Sequence, residues 1–174
     1  MMGHAGPTIS ASVIDTILAH AWAESPNEAC GLVAGERGSN RGTVFHAARN
    51  ALASPYRFDV HPADLVRILD EIDRAGHELV AIFHSHPRSA AAPSALDRRE
   101  ARYAVPHLIA GKEGGDDAPR TLRAWDIAGS SARELELRVI ETDQQSVARV
   151  SSTRRATGSS TMSTAHEPSS LPER

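Results

Sequence analysis

The chain has 174 residues, 40% hydrophobic and 24% charged, a composition that suits one globular domain with a proper core. Its formal net charge of -3 leaves no basic excess to displace phosphate counterions, so nucleic acid is not expected as a partner. Cys30 is the single cysteine, which excludes an internal disulfide and a thiolate metal cluster. No apolar run reaches the roughly 18 residues of a membrane span. The N-terminus, MMGHAGPTIS, lacks the basic-then-apolar order of a secretory signal, so the cytoplasm is the expected compartment. Of the 19 basic side chains only Lys112 is a lysine, a bias of the kind that GC-rich genomes impose.

Residues 1–8 are expected to be flexible. Ile9, Val13, Ile14, Ile17 and Leu18 recur at helical spacing and predict an amphipathic helix over about residues 10–24, with Ser12 and Asp15 as a candidate cap. Ser25-Pro26-Asn27 breaks it. Residues 28–35 read as a short buried strand, 37–41 as a turn, and 43–47 as a second strand pairing back in a hairpin. A loop over 51–59 precedes a helix opened by Pro62 and Asp64, with Leu65, Ile68, Leu69 and Ile72 on one face and Gly76 as its stop.

Residues 78–86 are too apolar for a sheet edge and predict a central strand ended by Pro87. A short helix should start near Ser94, and strands are expected over 107–110, 121–127 and 134–140. Hairpins mixed with crossovers predict an α/β layer structure around a mixed sheet flanked by helices. Residues 151–174 differ in kind. Eleven of these 24 are Ser or Thr, too little apolar surface to offset ordering entropy, so a disordered tail over 143–174 is expected.

The stretch FHSHPRSAAAPSALD, residues 83–97, concentrates the chemistry. On a strand, residues i and i+2 share a face with attachment points about 6–7 Å apart, so His84 and His86 can reach toward one ion. A catalytic site needs a third ligand, and Asp97 is the candidate once the loop after Pro87 turns back. A lone His-x-His is often incidental, and Ser94 with Asp97 also reads as a capping box at a helix start.

The joint spacing is longer than either fragment. His84-Ser85-His86, seven intervening residues, Ser94, two more, then Asp97 resembles the H-x-H-x7-S-x2-D signature of the JAMM (MPN+) metalloproteases. The upstream glutamate of that family is matched by Glu28 in Pro26-Asn27-Glu28-Ala29-Cys30-Gly31-Leu32, and the resemblance covers roughly residues 9–142. It implies one MPN domain, a mixed sheet flanked by helices with cytidine-deaminase-like layering. It also implies one zinc ion per chain held by His84, His86 and Asp97, which lowers the pKa of a water from about 15.7 toward about 7. Glu28 is then the general base that returns the proton to the departing amine, and the Ser94 hydroxyl helps to hold the oxyanion.

Family members cleave bonds after the C-terminal tail of ubiquitin-like proteins, and some that have lost ligands serve as scaffolds. The short turn 36–43 and the loop 50–58 look most like the bacterial Mec subgroup, which frees cysteine from a ubiquitin-like sulfur carrier of the CysO, ThiS or MoaD type. The alternatives are an isopeptidase for another ubiquitin-like modifier and a non-catalytic MPN scaffold. Residues 54–58 and 89–92 are expected to border the tail channel. Cys30, His107, Trp22 and Trp125 read as core or packing residues.

Overall fold

The computed structural model describes residues 5–114 and 120–141. The chain divides into Met1–Thr142 and Asp143–Arg174, and the tail expected to be disordered lies outside the described residues. Residues 1–4 of the stretch expected to be flexible lie outside them too. Pro7 is buried, however, and Thr8 already belongs to a strand, so the ordered part begins before residue 9.

In chain order the elements are β1 (Thr8–Ser10), α1 (Ala11–Ala23), β2 (Cys30–Glu36), β3 (Arg41–Gly42), β4 (Val44–Ala48), α2 (Pro62–Arg74), β5 (His77–Ser85), α3 (Ala95–Glu100), β6 (His107–Lys112), β7 (Arg120–Ala128), β8 (Ser131–Leu135) and β9 (Arg138–Ile140). Six strands form the main sheet in the order β4-β2-β5-β6-β7-β8. All pairs are antiparallel except β5 with β6, so the sheet is mixed and β5 is central, as expected of its apolar run. The β2–β4 hairpin pairs Cys30 with Ala48 and Ala34 with Val44. Its connection runs through Gly38 and Asn40, both at positive φ.

A second, three-stranded sheet, β3-β1-β9, was not expected. Residues 134–140 do not form one strand. The chain leaves the main sheet after Leu135 and restarts at Arg138 beside β1. Ser10, not Ser12, sits at the N-cap of α1. The helix α2 starts at Pro62 as expected, its cap being the His61 ring nitrogen, which accepts from the Ala63 N–H at 3.3 Å. Gly76 follows its end at φ 68°, where only glycine is unstrained.

The helices cover opposite faces. Val13, Ile17 and Ala21 of α1 pack with Ala81, Phe83, Leu108, Ala110 and Ala124. Ile68 and Ile72 of α2 pack with Cys30, Leu32, Ala34 and Ala48. Each fully buried Ile, Leu or Phe stabilises the fold by about 1.5–3 kcal/mol, so these two layers hold the sheet. Among the described residues no helix is long and apolar enough to cross a membrane.

Candidate metal centre

The centre grows from the C-terminal end of β5. Its alternation sends Phe83 into the α1 layer and His84 to the other face, where the Phe58 ring stacks on the imidazole at 4.4 Å and 15°. His86 lies one residue past the strand, yet its N–H donates to the Ala110 carbonyl at 2.7 Å and keeps the chain extended. The two Nε2 atoms stand 3.2 Å apart.

Asp97 reaches them from α3. Ser94 caps that helix in a reciprocal box: its Oγ accepts from the Asp97 N–H at 3.1 Å, and Asp97 Oδ2 accepts from the Ser94 N–H at 2.6 Å. Asp97 therefore serves in the box and still places Oδ1 3.4 Å from His84 Nε2 and Oδ2 3.4 Å from His86 Nε2. Capping box and convergence are one arrangement. Ser94 itself is exposed, and its hydroxyl also hydrogen-bonds the Asp97 carboxylate.

Glu28 precedes β2 and is only 4% exposed. Two residues that nothing in the sequence singled out hold it. Ser85 Oγ accepts from the Ala29 N–H at 2.8 Å, and the Ser85 N–H donates to the Ala29 carbonyl at 3.0 Å, so the residue between the two histidines anchors the residue after Glu28. Asn50 Nδ2 donates to the Glu28 carbonyl at 3.1 Å and to the Arg57 carbonyl at 2.9 Å. Asn50 Oδ1 accepts from the N–H groups of Leu52 and Asp59. Side-chain amides in loops are usually solvated, which is why the sequence offered no signal.

Burial pushes the Glu28 carboxyl from 4.5 up to about 7, with His86 opposing the rise and the Asp97 charge adding to it. Asp97 goes the other way: burial works against its ionisation, but its contacts with His84 and His86 and the Ser94 hydrogen bond hold it far below the usual carboxylate range. Burial lowers His84 despite Asp97. For His86, burial is outweighed by Asp97 and the Ala90 carbonyl, and its pKa is raised.

The donor chemistry fits a divalent metal. A carbonyl only accepts, so the 2.9 Å contact of His86 Nδ1 with Ala90 O puts the proton on Nδ1, and the neutral ring then turns a lone pair outward at Nε2. One nitrogen from each imidazole and one Asp97 oxygen all lie within 4.8 Å of one another. Two imidazoles and one carboxylate with a fourth position left over form a zinc-type donor set.

A cavity of about 220 Å³ opens beside His84 and Asp97, lined by residues of the 52–60 loop, α3 and the segment 101–103. Phe58 and Arg57 of the predicted channel border are among them. Residues 89–92 are not: they pack on β6, where a Cβ at Gly111 would overlap Ala91 and Ala90, and Ala91 O accepts from Trp125 Nε1 at 2.9 Å. His107 forms part of the cavity wall, 4% exposed, with neither ring nitrogen bonded to a described residue. Burial lowers its pKa to about 4, so the ring is neutral. Cys30 is a buried thiol pushed up to about 12 by burial, as its reading as a packing residue requires. Trp22 is not a core residue: it is 58% exposed beneath the Arg120 and Lys112 side chains.

The chain belongs to the prokaryotic homologs of the JAB domain, a match that spans residues 10–128. A desampylase from Haloferax volcanii is 33% identical over 138 residues, covering 76% of this chain and 95% of that protein. A CysO-cysteine peptidase from Mycobacterium tuberculosis is 29% identical over 133 residues, covering 76% of this chain and 90% of that one. A solution structure of a Desulfitobacterium hafniense protein is similar with a TM-score of 0.69 at 27% identity, covering 79% of this chain and 95% of that one. A JAB1/MPN domain protein from Archaeoglobus fulgidus has the same fold, with a TM-score of 0.51 at 20% identity and coverage of 79% and 100%. Family, fold and donor set define an enzyme class, the JAMM-type metallopeptidases.

Proposed function

We propose that the chain is a zinc-dependent peptidase that cleaves the amide bond after the glycine-ended tail of a ubiquitin-like sulfur-carrier protein and releases cysteine. The observation that carries this reading is the convergence of His84, His86 and Asp97 next to a carboxyl buried and raised to about 7. A bound zinc supplies Lewis acidity and an acidified water at neutral pH. Glu28, with a pKa near the working pH, would accept the proton of the attacking water and pass it to the departing nitrogen. The Ser94 O–H, which hydrogen-bonds the Asp97 carboxylate, would turn toward the oxyanion when substrate is bound. No covalent acyl-enzyme is needed, in keeping with a Cys30 thiol that burial keeps protonated.

The M. tuberculosis relative supports the cysteine-releasing substrate. The Haloferax desampylase, at 33% identity, favours a second reading, an isopeptidase acting on ubiquitin-like conjugates. One experiment separates them. The purified protein is incubated with a carrier bearing an added C-terminal cysteine and with a carrier joined to a lysine side chain, and products are weighed by mass spectrometry with and without chelator. Loss of one cysteine that chelator abolishes is the expected result. Cleavage of the lysine conjugate alone moves the function to the isopeptidase, and cleavage of neither overturns both.

A further inference from the structure

We propose that Arg57 and Glu100 form a strap over the cavity beside His84, and that the extended chain of a substrate passes beneath it. The pair is thereby specificity-determining. A chain with a free end can be fed in under the closed strap, whereas one joined to folded bodies at both ends enters only when the pair parts. The inference rests on the reading of the chain as a peptidase for ubiquitin-like tails.

The cavity has two facing walls. One is the loop that carries Leu52, Arg57 and Phe58, and the other is α3 with Leu96, Asp97 and Glu100. Arg57 Nη2 donates to Glu100 Oε1 at 3.0 Å and so joins them. Among the described residues no other hydrogen bond or ion pair links residues 51–59 to α3. Depth places the pair on the outside. Leu32, Ile82, His84 and His107 of the lining are at most 4% exposed, whereas the Arg57 and Glu100 side chains are 51% and 41% exposed. The buried residues are therefore the floor, and the pair crosses the mouth. Each end has a fixed root, since the Arg57 carbonyl accepts from Asn50 and Glu100 ends a helix capped by Ser94. Glu100 is one helical turn past Asp97, so the crossing stands next to the donor cluster.

Topology then separates cysteine adducts from lysine conjugates. In a cysteine adduct the chain ends one residue beyond the reacting bond, and that end slides under a closed strap. In a lysine conjugate the chain continues into a second folded protein, which cannot pass. The distinction holds whichever arm of the substrate occupies the cavity. An exposed ion pair is worth at most about fivefold in an equilibrium constant, so the strap opens readily and favours free-ended adducts by up to that factor.

The test closes the strap covalently. Arg57→Cys and Glu100→Cys are combined with Glu28→Gln, which slows cleavage, and a short bismaleimide joins the two introduced thiols. The native Cys30 is buried and does not compete. One probe is a ubiquitin-like carrier ending in Gly-Gly-Ser, and the other is the same carrier continued after Gly-Gly into a second folded domain. Closure before mixing should keep the affinity of the free-ended carrier within about fivefold, the worth of the pair itself, and abolish binding of the fusion. Closure after mixing should trap the fusion in a complex that survives gel filtration, and a single-headed maleimide should do neither. Fusion binding that closure leaves unchanged in either order overturns the proposal. So does equal loss of both probes on closure, because a free end would then gain nothing, and so does the absence of any complex. If the fusion is trapped but the active enzyme hydrolyses neither adduct, the proposed function fails and the strap stands. Hydrolysis of the cysteine adduct together with fusion binding indifferent to closure gives the reverse.

Discussion

Phe83 and His84 are adjacent, both 0% exposed, and opposite in consequence. Phe83 enters an apolar layer, meets the Phe45 ring edge-on at 5.6 Å, and makes burial stabilising. His84 enters the face that holds the donor cluster, where Nδ1 has no partner among the described residues and burial lowers its pKa. The same strand thus stores stability on one face and spends it on the other. Groups arranged for reaction are poorly satisfied at rest, so a substitution on the first face should cost stability and leave the turnover of the folded protein unchanged, while one on the second should be able to move the two in opposite directions.

The largest expected effect divides the two quantities at Glu28. Glu28→Gln should lower turnover about 10²–10⁴-fold while metal content, read by atomic spectroscopy, is retained. The metal-free protein should nevertheless become more stable above neutral pH. The folded carboxyl keeps its proton between the ordinary carboxyl range and about 7, where the unfolded chain has released it, so the fold loses stability as pH rises through that window. Gln removes the loss, a gain of about 1–2 kcal/mol once solvent screening is allowed for, measured as Tm at pH 8 against pH 5. A Tm that falls at both pH values would break the contrast.

On the opposite face Phe83→Ala should cost about 3–5 kcal/mol in a denaturant titration, with the surviving folded fraction keeping its kcat. The smallest expected effect lies where both duties meet. Ser94→Ala removes a cap worth about 1 kcal/mol and, on the proposed function, an oxyanion donor worth about 10²–10³-fold in kcat. Ser94→Thr should restore both, since Thr keeps the hydroxyl. Stability without rate recovery in that variant would limit Ser94 to capping α3.

Much of this was legible beforehand because it is periodic or spaced. The apolar rhythm that opens at Pro62 and the apolar run 78–86 became α2 and β5 within a residue or two. His84, His86 and Asp97 converge because alternation and a capped helix act over short distances. What escaped has no period. Residues 134–140 keep alternating through Glu136 and Leu137, so the point where the chain changes sheets leaves no mark. Strands as short as β1 and β3 exist only through their partners. His107 lines a cavity assembled from distant segments and has no hydrogen-bond partner for its ring among the described residues, which no local pattern encodes.

Asn50 carries a last consequence. One amide ties the peptide of Glu28 to both ends of the 51–59 segment, through the Leu52 and Asp59 N–H groups and the Arg57 carbonyl. The Glu28 N–H adds a further tie, donating to the Ser54 carbonyl at 2.8 Å beside the tip, where Tyr56 is 70% exposed. The loop is therefore part of the frame that holds the Glu28 peptide. A change of length around Pro55 and Tyr56 should be felt at Glu28 through Ser54, so the outer surface of the loop can vary in side chains more readily than in length.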